Sequence, residues 1–109
     1  MPGPPAPERL LGEWVHRHEE DAGERMVFVR AGEPLPASRG RRRLELRARG
    51  VLAASAPGRG DAPEAMRGRW SLDAAGHLHL AYEAPERGRE EFRVEALAGD
   101  RLVLERVRV

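Results

Sequence analysis

The amino-acid sequence predicts an all-β fold on three observations: apolar and polar residues alternate with a period of two, Gly, Pro and Asp clusters punctuate that alternation, and helical periodicity is weak throughout. The expected architecture is a small antiparallel up-and-down barrel of about seven or eight short strands. The chain of 109 residues suits one hydrophobic core, so we divide it into a Pro-rich N-terminal arm, residues 1–9, and a single domain, residues 10–109.

The elements follow in chain order. Leu10 to Glu19 reads as the first strand, and Asp21-Ala-Gly23 turns it into Glu24 to Arg30 with its run Met26-Val-Phe-Val29. Pro34 and Pro36 mark Ala31 to Gly40 as a loop. In Arg41 to Arg49 the residues Leu44, Leu46 and Ala48 share one side and Arg43, Glu45, Arg47 and Arg49 the other, the pattern of a half-buried strand. Gly50 leads into Val51 to Ala56, and Pro57 to Pro63 is a loop, because its prolines and glycines cannot hold a central ladder. Gly68 to Leu80 reads as a hairpin around Asp73-Ala-Ala-Gly76, and Glu91 to Leu97 with Arg101 to Val109 as a second around Ala98-Gly-Asp100.

Composition narrows the function classes. There is no cysteine, which removes disulfide scaffolds and zinc–thiolate sites. The 19 basic and 18 acidic residues leave a net charge of +1, too little for a general field attracting nucleic acid or membrane. The N-terminus has neither a basic nor an apolar leader region, and a cytoplasmic location is expected. Every basic residue is arginine, and Ile, Thr, Asn and Gln are missing. That pattern fits GC-rich codon usage, so an arginine carries functional weight only through its position.

Leu11-Gly-Glu-Trp14, then Gly68-Arg-Trp-Ser-Leu72 with Leu78 and Leu80, then Phe92-Arg-Val94 and Asp100-Arg-Leu-Val-Leu-Glu-Arg106, together resemble the bacterial lipocalin-like domains of the calycin group. The resemblance covers almost the whole chain through short, degenerate elements. It implies a barrel closed at one end by the tryptophan of a Gly-x-Trp opening, with an arginine of the last strand lying across it. Here those positions are Trp14 and Arg106, both with a structural role. A guanidinium on an indole face contributes about 0.5–2 kcal/mol.

All four histidines lie in His-x-His pairs. If Trp14 points inward, alternation turns His16 and His18 inward too, whereas His77 and His79 face solvent if Leu78, Leu80 and Tyr82 line the core. The cupin arrangement fails, because Ala22 and Gly23 stand where its glutamate is required. Ser38, Ser55 and Ser71 sit in no nucleophile elbow, and the glycines of Gly58-Arg-Gly60 open no phosphate-binding helix. Arg39-Gly-Arg-Arg-Arg43 is the one dense basic run, without the adjacent aromatics that nucleic-acid binding uses. Arg59-Gly-Asp61 matches an integrin-type tripeptide that this composition produces by chance.

The expected function is a non-enzymatic binding module whose mouth, lined by His16, His18, Phe28 and Leu46, holds a small organic or peptide ligand. It involves no cofactor, no metal, no catalytic residue, no nucleic acid and no membrane, and the chain is a monomer or homodimer. Two alternatives stay open. One is a barrel enzyme that promotes cyclisation or isomerisation by confinement with a histidine base. The other is an interaction or inhibitor domain acting through the loops Ala31 to Gly40 and Pro57 to Pro63.

Overall fold

A computed structural model describes residues 6–37, 40–57 and 63–107. Ser38, Arg39, Arg59-Gly-Asp61 and most of the N-terminal arm lie outside the described residues. Eight strands form: β1 (Gly12–His16), β2 (Arg25–Arg30), β3 (Arg43–Arg47), β4 (Val51–Pro57), β5 (Pro63–Leu72), β6 (His77–Tyr82), β7 (Arg89–Ala98) and β8 (Arg101–Arg106). They close into an antiparallel barrel in the order β1-β2-β8-β7-β6-β5-β4-β3. The barrel expected from alternation is therefore present.

From β3 to β8 every strand pairs with the next in the chain. Such a meander leaves two open edges, and the β1–β2 hairpin fills the gap between them. β2 pairs with β8 and β1 with β3. The connection from β2 to β3 must then run back along the barrel rather than turn as a hairpin. It passes outside β1, where Ala31 N–H donates to the Glu13 carbonyl at 3.0 Å, and Gly32, Glu33, Leu35 and Pro36 border Val15. That cover explains why Val15 is only 3% exposed although it points away from the lumen.

The first strand is shorter than expected. Pro7–Leu10 forms a 3-10 turn, and β1 ends at His16 because His18–Glu20 makes a second one, with Asp21 N–H donating to the His18 carbonyl at 3.1 Å. The Arg41 to Arg49 strand is likewise trimmed, to Arg43–Arg47. Beyond it Ala48 to Val51 turns with Arg49 at φ 63°, ψ 25° and Gly50 at φ 73°. Both central residues are left-handed, as a type I′ turn requires, and only the second is a glycine.

Alternation fills the lumen. Trp14, Phe28, Leu44, Leu46, Leu52, Leu78, Leu80, Phe92, Leu102 and Leu104 are each at most 1% exposed and belong to one cluster. Gly68 is required where β5 crosses β6, since a Cβ there would stand 2.1 Å from the Ala81 carbonyl oxygen.

One end of the barrel, where β1 begins, is closed. Leu10 is fully buried, and the Trp14 indole donates through Nε1 to its carbonyl at 2.9 Å. The arginine lying on this indole is Arg30, with Cζ 3.9 Å from the ring. Arg30 also donates to the carbonyls of Leu11 at 2.5 Å and Arg9 at 3.0 Å. The expected partner, Arg106, is instead at the opposite end, with Cζ 5.0 Å from the Phe92 ring. The reason is strand order: β2 is the neighbour of β1, and the register sets Arg30 beside Trp14, while β8 has no contact with β1 in the ladder. Gly12 of the Gly-x-Trp motif also gains a cause. Its φ is 125°, and a Cβ would stand 2.5 Å from Arg30 Nη1.

Two stability outcomes follow. Trp14→Ala truncates a fully buried indole and releases the Leu10 carbonyl, and should cost about 3–5 kcal/mol in chemical denaturation. Arg49→Asn should stabilise the fold by up to about 1 kcal/mol, because asparagine tolerates the left-handed conformation that arginine adopts at a cost. A melting temperature lowered by Arg49→Asn would contradict the strain argument.

Candidate functional site

At the other end, where β1 finishes, alternation brings charged residues into the lumen. Arg42 precedes β3, Tyr82 ends β6, Glu90 lies near the start of β7 and Arg106 ends β8. β3 and β7 stand four places apart in a ring of eight, so they face each other across the barrel. Arg42 donates to Glu90 through both terminal nitrogens, from Nη1 to Oε2 at 3.1 Å and from Nη2 to Oε1. Its Nη2 also donates to the Tyr82 hydroxyl at 2.8 Å, which in turn donates to Glu90 Oε1 at 2.5 Å. Arg106 Nη1 approaches Glu90 Oε2 at 3.0 Å. The result is a polar bar across the mouth, resting on Phe92.

This bar is largely withdrawn from water, with the Arg42 and Glu90 side chains 15% and 16% exposed. Burial works to raise the Glu90 carboxyl, but the hydrogen bonds and charge of Arg42, with Tyr82 and Arg106 beside them, outweigh it and the net shift is downward. Burial pushes the Tyr82 hydroxyl up to about 12, reinforced by its bond to Glu90 and only partly opposed by Arg42. Two guanidiniums share one carboxylate, and the buried Nε of Arg42 has no hydrogen-bond partner among the described residues.

His16 lies at the same mouth, stacked on Phe28 with ring centroids 5.0 Å apart and bonded through Nε2 to Asp21 at 2.8 Å. Asp21 also accepts the Val27 N–H at 3.0 Å, which fixes the β1–β2 connection over the barrel end. His18 does not follow His16 into the wall. It falls in the 3-10 turn, about half exposed, because the strand ends before it and alternation no longer applies. Phe28 is fully buried beneath His16. Leu46 pairs with Gly12 and Leu52, which places it in the closed half of the barrel rather than at the mouth.

The second histidine pair sits on the outer wall. His77 Nδ1 is 2.7 Å from Glu91 Oε2, and His79 Nε2 is 2.8 Å from Asp73 Oδ2. Asp73 also accepts the Ala75 and His77 backbone N–H groups, each at 2.9 Å, and its carboxyl is lowered to about 2, chiefly by His79. Ser71 lies opposite His79 in the register. One nitrogen of that imidazole is bonded to Asp73 and the other is 3.8 Å from Glu91, so the geometry supplies no base for the serine. Among the described residues, no group of three or more histidines and acids is arranged to hold a metal ion.

The basic run disperses in three directions. Arg41 pairs with both oxygens of Glu19, Arg42 enters the lumen, and Arg43 lies 3.5 Å from Glu13 on the outer wall. Three consecutive residues entering a strand thus present no common surface for a nucleic-acid backbone. Among the described residues, no helix is long and apolar enough to cross a membrane. Sequence reasoning missed the bar itself. Its signal was polar residues at inward positions, Tyr82 and Glu90, two residues beyond Leu80 and before Phe92.

The bar sets a pH window. The lowered Glu90 contributes stability above the ordinary carboxylate range, lost as pH falls through its folded-state value. The raised Tyr82 contributes stability below pH 10, the ordinary tyrosine value, lost as pH rises toward about 12. Tyr82 is the single tyrosine of the chain, so absorbance at 295 nm reports it alone. We expect a phenolate midpoint near 12, falling toward 10 when the protein is unfolded in denaturant. A native midpoint near 10 would show a solvated hydroxyl and no bar.

Compared with protein-family models, curated proteins and solved structures, the chain shows no significant match.

Proposed function

We propose that the protein is a non-enzymatic binding module that receives a small organic or peptide ligand at the mouth crossed by Arg42, Tyr82 and Glu90. One observation supports this reading above the others: the two ends of the barrel are built differently. The closed end uses Leu10, Trp14 and carbonyl bonds to exclude water. The mouth instead holds ionised groups over an apolar floor, with Arg106 about one-third exposed and able to meet a ligand. Apolar residues of similar volume would close the mouth as firmly, since replacing a buried ion pair in that way is commonly neutral or stabilising by about 1–4 kcal/mol. His16 on Phe28 extends the polar rim toward β1. A cytoplasmic setting belongs to the same proposal.

The test replaces the bar in one step with Arg42→Met, Tyr82→Phe and Glu90→Leu, and compares both proteins by native mass spectrometry after gentle purification. The expected result is a fold of equal or greater stability that has lost a mass retained by the original protein. The same mass on both proteins, or none on either, would assign the bar to structure alone.

A further inference from the structure

The left-handed backbone of this barrel belongs to glycine, with one exception. Among the described residues eight glycines have positive φ, and Arg49, at φ 63°, is the one residue of another type that does. A second glycine beside Gly50 would relieve the strain, because glycine enters that region without a Cβ clash. The guanidinium is what a glycine would not supply. Strained backbone of this kind gathers at ligand sites, so the surroundings of Arg49 decide what it serves.

Arg49 borders a groove of about 340 Å³ at the closed end, between the Pro7–Leu10 turn and the end of β5. Its walls are chiefly apolar, from Leu11, Leu72 and Trp70, and the Trp70 indole is fixed by donating through Nε1 to the Arg47 carbonyl at 2.8 Å. Leu11 and Leu72 are only half-buried, so the groove leaves apolar surface in water. Val51, the one large apolar side chain among the described residues that is more than one-third exposed, follows Gly50 directly. Positive charge gathers at the same turn. Arg69 donates from Nη2 to the Arg49 carbonyl at 3.0 Å, and that nitrogen stands 3.7 Å from where a Cβ on Gly50 would be. Neither guanidinium has a carboxylate partner among the described residues, although Arg47 nearby is paired with Glu45 at 2.6 Å. Glu8 is the one acid bordering the groove; it belongs to the Pro7–Leu10 turn and forms no ion pair with either arginine.

We infer that this groove binds a small apolar carboxylate, whose hydrocarbon part covers Leu11, Leu72 and Trp70 while its charged end meets Arg49 and Arg69. Charge selects the ligand. Two guanidiniums at one turn repel each other and are both stabilised by a shared anion, and each fork can pair with a carboxylate through parallel N–H donors. Arg69 keeps Nη1 and Nε for this purpose while Nη2 holds the turn. An apolar body adds the burial of Leu11 and Leu72, which a bare inorganic anion would leave in water. The volume lies at the lower end of small-molecule sites. The groove is at the opposite end from Arg42, Tyr82 and Glu90, so it stands whether or not the mouth binds a ligand.

The experiment is an amide NMR titration of the full chain with phenylacetate, beside phenylacetamide, phenethylamine and sodium acetate at matched ionic strength. Saturable shifts from phenylacetate are expected at residues 48–50 and 70–72 and at the Trp70 indole N–H, with Phe28 and Tyr82 at the mouth unaffected. Arg49→Asn and Arg69→Gln should each weaken binding about tenfold. Arg49→Asn is the decisive variant, since it removes the charge while giving the turn a residue suited to it, and its melting temperature should not fall. Glu8→Gln and Arg101→Gln should not weaken binding. The absence of saturable shifts at these residues, equal binding of the amide or the amine, shifts reproduced by acetate, or full affinity in both arginine variants would overturn the site.

Discussion

The rest of this structure depends on the insertion of one hairpin. Six strands, β3 to β8, pair in chain order and leave two edges whose backbone groups need partners. β1 and β2 supply both sets at once, and no other described element could. The hairpin also carries Trp14 and Arg30, whose bonds to the Leu10, Leu11 and Arg9 carbonyls close the end of the barrel. Closure around the barrel and closure at its end are thus the same event. Gly12 sits at their junction, where any side chain would meet the Arg30 guanidinium.

Ionised groups are placed on this scaffold by two different logics. On the outer wall, arginines and carboxylates neutralise one another across neighbouring strands, as Arg93 does with Glu105, and such exposed pairs add little stability each. At the mouth, Arg42 reaches across the lumen to Glu90, where desolvation makes charge costly unless every partner is present. Glu90 accepts from Arg42 and Tyr82 and faces Arg106, which offsets that cost.

The histidines show how one motif divides under the fold. His16 and His18 share the spacing of His77 and His79, yet only the second pair stays on one strand. His77 and His79 keep to one face and each meets an acid. The first pair is split by the 3-10 turn after β1, so His16 packs on Phe28 while His18 leaves the wall.

Alternation by itself determined the class of fold, the inward set of leucines and aromatics, the outward direction of His77 and His79, and the burial of Trp14, because side-chain direction in a strand has a period of two that the linear order carries. Strand partners are another matter. Which arginine covers Trp14 depends on which strand lies beside β1, and both Arg30 and Arg106 had the parity to face inward. Leu46 read as a mouth residue because parity does not specify height along the barrel, which comes from its register against Gly12 and Leu52. The bar at the mouth joins residues up to 48 positions apart, and only the closed ladder, by fixing neighbour and register together, brought them within reach.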